Sequence, residues 1–191
     1  MSLLKTTSEA SMTVHIIVLY AHLLGAFAFF IACGIEWTAS ALFRKATSTE
    51  QVSAWLRVFK ASPPLYGAGL GVLLLSGGYL ASLTGVMKQG WIPATLLAIG
   101  FAIVLGVVLI LPRMKKIRKA LPSLNQQISA EFRSLLTDPL LHSAIRTRVL
   151  LAAGIVYLMA AKIPLTQSLD ALGVALVLGI AFSIPAWRRP A

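Results

Sequence analysis

Residues 14–43 read VHIIVLYAHLLGAFAFFIACGIEWTASALF, a stretch in which Glu36 is the single formal charge with histidine neutral. A helix needs about 20 apolar residues to cross a hydrocarbon core about 30 Å thick. The most apolar part, Ile16 to Ile35, has that length. The extra length on either side predicts a tilted or protruding helix.

Working outward, the whole chain repeats this character. Of its 191 residues 58% are hydrophobic and 12% charged, against about 25% charged in an ordinary soluble domain. Mean hydropathy is +0.83. The expected class is therefore all-α, a polytopic transmembrane helix bundle folded as one membrane domain over residues 1–191. Phe30-Ile31-Ala32-Cys33 has a faint likeness to a lipoprotein cleavage box. The apolar run continues past it and Arg44-Lys45 follow as an anchor, so the segment is read as a retained span. Cys33 is the single cysteine, which excludes a disulfide or a cysteine metal cluster within one chain.

Five spans are expected, at about 14–43, 65–87, 91–111, 139–163 and 169–187. Two short amphipathic surface helices join them. The first follows Ser48-Thr49-Glu50-Gln51, which has capping-box spacing, and carries Val52, Trp55, Leu56 and Phe59 at helical intervals. The second covers Leu124 to Leu136, with Leu124, Ile128, Phe132 and Leu135 on one face. Pro63-Pro64 breaks the chain before the second span, and Pro112 closes the third. Asp138-Pro139 reads as an N-cap followed by proline at the first helical position. The fourth span requires Arg146 and Arg148 to snorkel toward the cytoplasmic surface, because its uninterrupted apolar run is only Val149 to Ala161.

Lysine and arginine orient the bundle. With the first and third loops and the C terminus inside, Arg44, Lys45, Arg57, Lys60, Arg113, Lys115, Lys116, Arg118, Lys119, Arg133, Arg146, Arg148, Arg188 and Arg189 fall on one side. Lys5, Lys88 and Lys162 fall on the other, a split of 14 to 3. The positive-inside rule then gives an N-out, C-in protein of the bacterial cytoplasmic (inner) membrane type, with Trp37, Trp91 and Trp187 at span ends. The formal charge of +11 is thus topogenic: it implies contact with anionic lipid, and nucleic acid is not an expected partner. The second span carries Gly67, Gly69, Gly71, Gly77 and Gly78, which predicts close helix packing and a homo-oligomer through that surface.

Ionisable groups inside spans are functional candidates by default. His15, His22 and Glu36 lie 7 and 14 residues apart, within about 60° on a helix with 3.6 residues per turn. Cys33 shares that stripe. One reading is a cation or proton path, or a ligand set facing the bundle; another leaves only His22 immersed, with His15 and Glu36 in the two headgroup layers. Haem is a possible cofactor, although His15 and His22 are about 10 Å apart along the axis and do not share one iron. A single-histidine haem on His22, or two His22 copies meeting in a homodimer, stays open. Lys162 and Asp170 form a candidate outer pair, and Asp138, His142, Arg146 and Arg148 a candidate cytoplasmic cluster. No zinc-peptidase, nucleophile-elbow or Walker motif is present, so the reading leans away from an enzyme.

His22-Leu23-Leu24-Gly25-Ala26, Asp138-Pro139-Leu140-Leu141 before Arg146-Thr147-Arg148, and Lys162-Ile163-Pro164 resemble small bacterial predicted integral membrane proteins of unknown function. Some of those are loosely similar to the copper-resistance D proteins, whose first span also begins with a histidine-bearing segment. The resemblance implies a fold more than an activity, and this chain's five methionines are scattered rather than arrayed with histidine. Three functions are consistent with the residues: a protein with a buried polar or haem/cation site on its first helix, a small permease or proton-coupled transporter component, and a structural or assembly subunit.

Overall fold

Helix accounts for nearly all of the computed structural model, which describes residues 2–121 and 127–187. The helices are α1 (Ser2–Lys45), α2 (Thr49–Lys60), α3 (Ser62–Leu83), α4 (Trp91–Val104), α5 (Leu111–Ala120), α6 (Ala130–Leu136), α7 (Pro139–Ala161), α8 (Leu165–Ala181) and the single turn α9 (Ile184–Trp187). Four stretches, Met12–Lys45, Thr49–Leu83, Trp91–Ala120 and Ala130–Ala161, are long and apolar enough to cross a membrane, and Leu165–Ala181 is a shorter apolar helix. Large apolar side chains such as Phe27, Leu75, Val107, Tyr157 and Val177 face outward. That is the surface expected of a bundle whose solvent is hydrocarbon.

The prolines start helices here more often than they stop them. Pro63 and Pro64 occupy the first turn of α3, where the missing N–H has no intrahelical partner to lose. Only Ala61 separates α2 from α3. Pro112 does not close the third span as expected: the helix runs on from α4 through a π-helical turn, Leu105–Ile110, into α5. A proline ring clashes with the carbonyl four residues earlier, and a wider turn at that point removes the clash.

Local capping follows the sequence closely. Ser48 accepts from the Gln51 amide at 3.3 Å, while the Gln51 side chain takes the Thr47 amide at 2.9 Å. Asp138 caps α7 by accepting from the Leu140 amide at 2.9 Å and also takes the Arg113 Nε–H at 2.8 Å, which ties α5 to the start of α7. Lys162 ends α7 in the left-handed region at φ 50°. Leu124, and with it the front of the second surface helix, lies outside the described residues, as do Arg188 and Arg189.

Two helix pairs are set by small residues. At Gly69 of α3 an added Cβ would sit 2.8 Å from the Phe29 amide nitrogen and 2.9 Å from the Gly25 carbonyl oxygen, so α1 and α3 touch backbone to backbone. The glycine-rich span is therefore used inside the chain, with open space beside Gly67, Gly71 and Gly78. Gly179 of α8 seats against Thr147 of α7, its virtual Cβ 2.7 Å from the Thr147 Cα.

The interior divides into two apolar clusters. One contains Phe29, Cys33, Tyr66, Leu70, Ala98, Leu151, Ile155 and Leu172. The other contains Ala39, Phe43, Val52, Phe59, Met114, Ile117, Phe132, Leu136, Leu141 and Ile145. On α1 the boundary falls between Cys33 and Ala39, and on α7 between Ile145 and Leu151. Both intervals hold a charged residue.

Candidate functional site

The α1 interval holds Glu36 and the α7 interval Arg146 and Arg148, of which Glu36 and Arg148 form an ion pair between Oε2 and Nη2. Their side chains are 4% and 5% exposed. Ion-pair burial of this kind is costly to build, since each charge loses its hydration. The neighbourhood offsets part of that cost. Ser62, the first residue of α3, donates to Glu36 Oε1 at 3.1 Å. Tyr66, one turn further along α3, places its ring 4.6 Å from the guanidinium carbon, a cation–π contact that strengthens when water is excluded.

Room for the guanidinium comes from α4's continuation. A Cβ on Gly106, in the π-helical turn, would lie 2.8 Å from Arg148 Nη1. π-Turns are rare and concentrate at functional positions; here the turn and its glycine open the space that a basic side chain occupies. Cys33, one turn before Glu36 on α1, is buried beside the layer with a free thiol.

Ser62 carries one hydroxyl proton but has two acceptors in reach. Glu36 Oε1 is 3.1 Å away and the Phe59 carbonyl 2.9 Å. Arg148 Nε and the Tyr66 hydroxyl have no hydrogen-bond partner although both are buried. A fully satisfied pair would leave neither feature.

The sequence-derived stripe on α1 splits in two. Cys33 and Glu36 reach the buried layer, whereas His22 packs on α3 well away from it. His22 Nδ1 is 3.0 Å from Ser76 Oγ, and Ser76 donates its proton to the Val72 carbonyl. The serine therefore accepts and Nδ1 donates. The imidazole fills a notch at Gly77, whose Cβ would approach Cε1 to 3.0 Å. His15 lies partly buried, two turns before His22 on α1. The ring is partly buried in the α1–α3 seam, with Nδ1 bonded there. Among the described residues no group of three or more His, Cys, Asp and Glu side chains is placed to hold a metal ion.

The group expected on the cytoplasmic side, Asp138, His142, Arg146 and Arg148, also separates. Asp138 pairs with Arg113. His142 is buried, with Nε2 donating to the Leu136 carbonyl at 2.9 Å. Arg146 stays at the rim over the Trp37 ring, 5.8 Å from its centroid, and donates to the Phe182 carbonyl. Arg148 does not snorkel outward as the sequence suggested; it turns inward because Glu36 supplies a countercharge and Gly106 supplies space. Lys162 and Asp170 are both exposed, and no ion pair joins them.

Ser62, Tyr66, Ser76 and Gly106 are site residues the sequence did not single out. The available signal was charge complementarity: Glu36 is an acid in the apolar stretch of one helix and Arg148 a base at the edge of the apolar stretch of another.

The fold and this layer define the class: an all-helical bundle, with helices long and apolar enough to cross a membrane, that encloses an acid–base pair between two apolar clusters. Comparison with protein-family models, curated proteins and solved structures gives no match to the chain.

Proposed function

We propose that this chain is a small polytopic membrane carrier, N-out and C-in with five spans in a bacterial cytoplasmic membrane, whose occluded proton-responsive site is the Glu36–Arg148 layer. The observation that carries the reading is the position of the pair, closed off by apolar side chains on both sides. Ionisable groups enclosed in a membrane bundle are a common feature of ion and proton pathways. A purely stabilising role is a weaker explanation, because replacing a buried pair by well-packed apolar residues is often neutral or favourable.

In this arrangement α2 and the basic rim residues Lys115, Lys116, Arg118 and Lys119 lie against anionic headgroups. The cluster around Phe43, Phe132 and Leu136 closes the site from the cytoplasm, and the cluster around Phe29 and Leu151 closes it from outside. Alternating access then requires only that one apolar cluster loosen at a time.

The test is reconstitution into liposomes with a trapped pH dye. Wild-type protein is expected to move protons in response to an imposed solute or pH gradient, and Glu36→Gln to abolish the movement. Liposomes no more permeable with wild-type protein than without it would remove the carrier reading. That outcome, joined to copurification of a stoichiometric membrane partner, would favour the assembly-subunit reading.

A further inference from the structure

Resting on the carrier reading, we infer that the site binds a proton and a small monoanion together, the proton on Glu36 and the anion on Arg148.

Three observations lead there. The first is Ser62, whose single proton has two acceptors within 3.1 Å. When Glu36 is ionised, Ser62 donates to its Oε1. When Glu36 is protonated, the carboxyl O–H donates to Ser62 Oγ and Ser62 turns its own proton to the Phe59 carbonyl. Both protonation states are hydrogen-bonded in one backbone arrangement.

The second is Arg148. Glu36 is the anionic side chain paired with it, and protonating Glu36 removes that partner. A buried cation left unpaired is strongly unfavourable, so the proton binds well only if another anion arrives. The guanidinium is already short of acceptors, with Nε buried and unpartnered beside the pair.

The third is the Tyr66 hydroxyl, also buried without a partner on the side chain whose ring covers Arg148. It adds a neutral donor beside the cation. Among the described residues, the buried Cys33 thiol on α1 and the backbone at Gly106 also lie beside Arg148.

Charge balances through the cycle. The resting layer is carboxylate plus guanidinium, net zero. The loaded layer is carboxylic acid, guanidinium and monoanion, again net zero. No bond other than the O–H is made or broken. A divalent anion would leave the enclosed layer negative, which restricts the ligand to single charge, and the packed clusters on either side restrict it to small size.

The linkage is reciprocal. One proton taken up per anion makes the anion dissociation constant rise tenfold per pH unit wherever the anion-free layer holds Glu36 as carboxylate.

The experiment uses the full chain in detergent. Sodium chloride, nitrate and formate are each added at matched ionic strength against gluconate, with proton uptake followed in weakly buffered solution and affinity measured calorimetrically from pH 5 to 8. Expected are about one proton per bound anion, a slope near one in log Kd against pH, no uptake with gluconate, and no binding to Arg148→Gln. Glu36→Gln, which imitates the protonated acid, is expected to bind the same anion with a pH-independent Kd and no proton uptake. Absence of anion-linked proton uptake by wild-type protein for all three anions overturns the inference, as does a Glu36→Gln variant that keeps the pH slope. If wild-type liposomes still move protons while no anion is linked, the carrier reading stands and the anion assignment falls. If neither occurs, both fall.

Discussion

Replacing Arg148 by methionine removes the cation and leaves Glu36, with 4% of its side chain exposed, dependent on the shared Ser62 hydroxyl. Breaking a buried ion pair from one side costs about 3–5 kcal/mol, and a chain of this size loses roughly 2–4 °C of Tm per kcal/mol. Arg148→Met is therefore expected to lower Tm by roughly 6–20 °C. Glu36→Gln should cost less, because the Tyr66 ring still covers the guanidinium and a desolvated cation–π contact is worth about 2 kcal/mol. The double variant Glu36→Gln/Arg148→Met encloses no charge and should return to within about 1–2 kcal/mol of wild type. Tryptophan fluorescence during thermal unfolding in one detergent measures all four proteins as a double-mutant cycle. A double variant as unstable as the sum of the two singles would refute the coupling and with it the enclosed pair.

Two further outcomes follow from the packing. Gly69→Ala pushes a Cβ to within 2.8 Å of the Phe29 backbone nitrogen and is expected to destabilise by about 1–3 kcal/mol. Gly67→Ala, which meets open space two residues earlier, should be neutral or gain up to about 1 kcal/mol from helix propensity; equal Tm losses for the two would contradict the α1–α3 contact. Arg113→Gln breaks an ion pair whose side chains are 20% and 26% exposed, so a change in Tm corresponding to no more than about 1 kcal/mol is expected, and a larger loss would show that α5 is anchored mainly through Asp138.

Much of the helical framework is legible in the sequence. Apolar block length located α1, α3, α4, α7 and α8, helical periodicity located α2 and part of α6, and Asp138-Pro139 marked the start of α7 to the residue. Proline was the poorer guide: a proline stops one helix and fits the first turn of the next equally well, and only the three-dimensional run through Leu105–Ile110 showed that Pro112 did not interrupt. The site was less legible. Periodicity along one helix placed His22 and Glu36 on a common face, yet a long helix meets different neighbours along that face, and Gly77 and Ser76 claim His22 while Arg148 claims Glu36. Arg148 was assigned to the surface because a charge in a span is costly and its neighbours are basic. The missing information was the partner on another helix, together with Gly106, whose lack of a side chain registers in sequence only as one more small residue.

In the proposed cycle Glu36 changes protonation inside an enclosed layer while Arg148 exchanges partners. Infrared difference spectra of the purified protein, taken between pH 8 and pH 5 with and without chloride, nitrate or formate, read the carboxyl group directly. A protonated carboxyl carbonyl band is expected to grow on acidification when one of these anions is present, to stay small without them, and to be absent from Glu36→Gln. A Glu36 carboxylate that stays ionised across that range whatever anion is present would contradict the account.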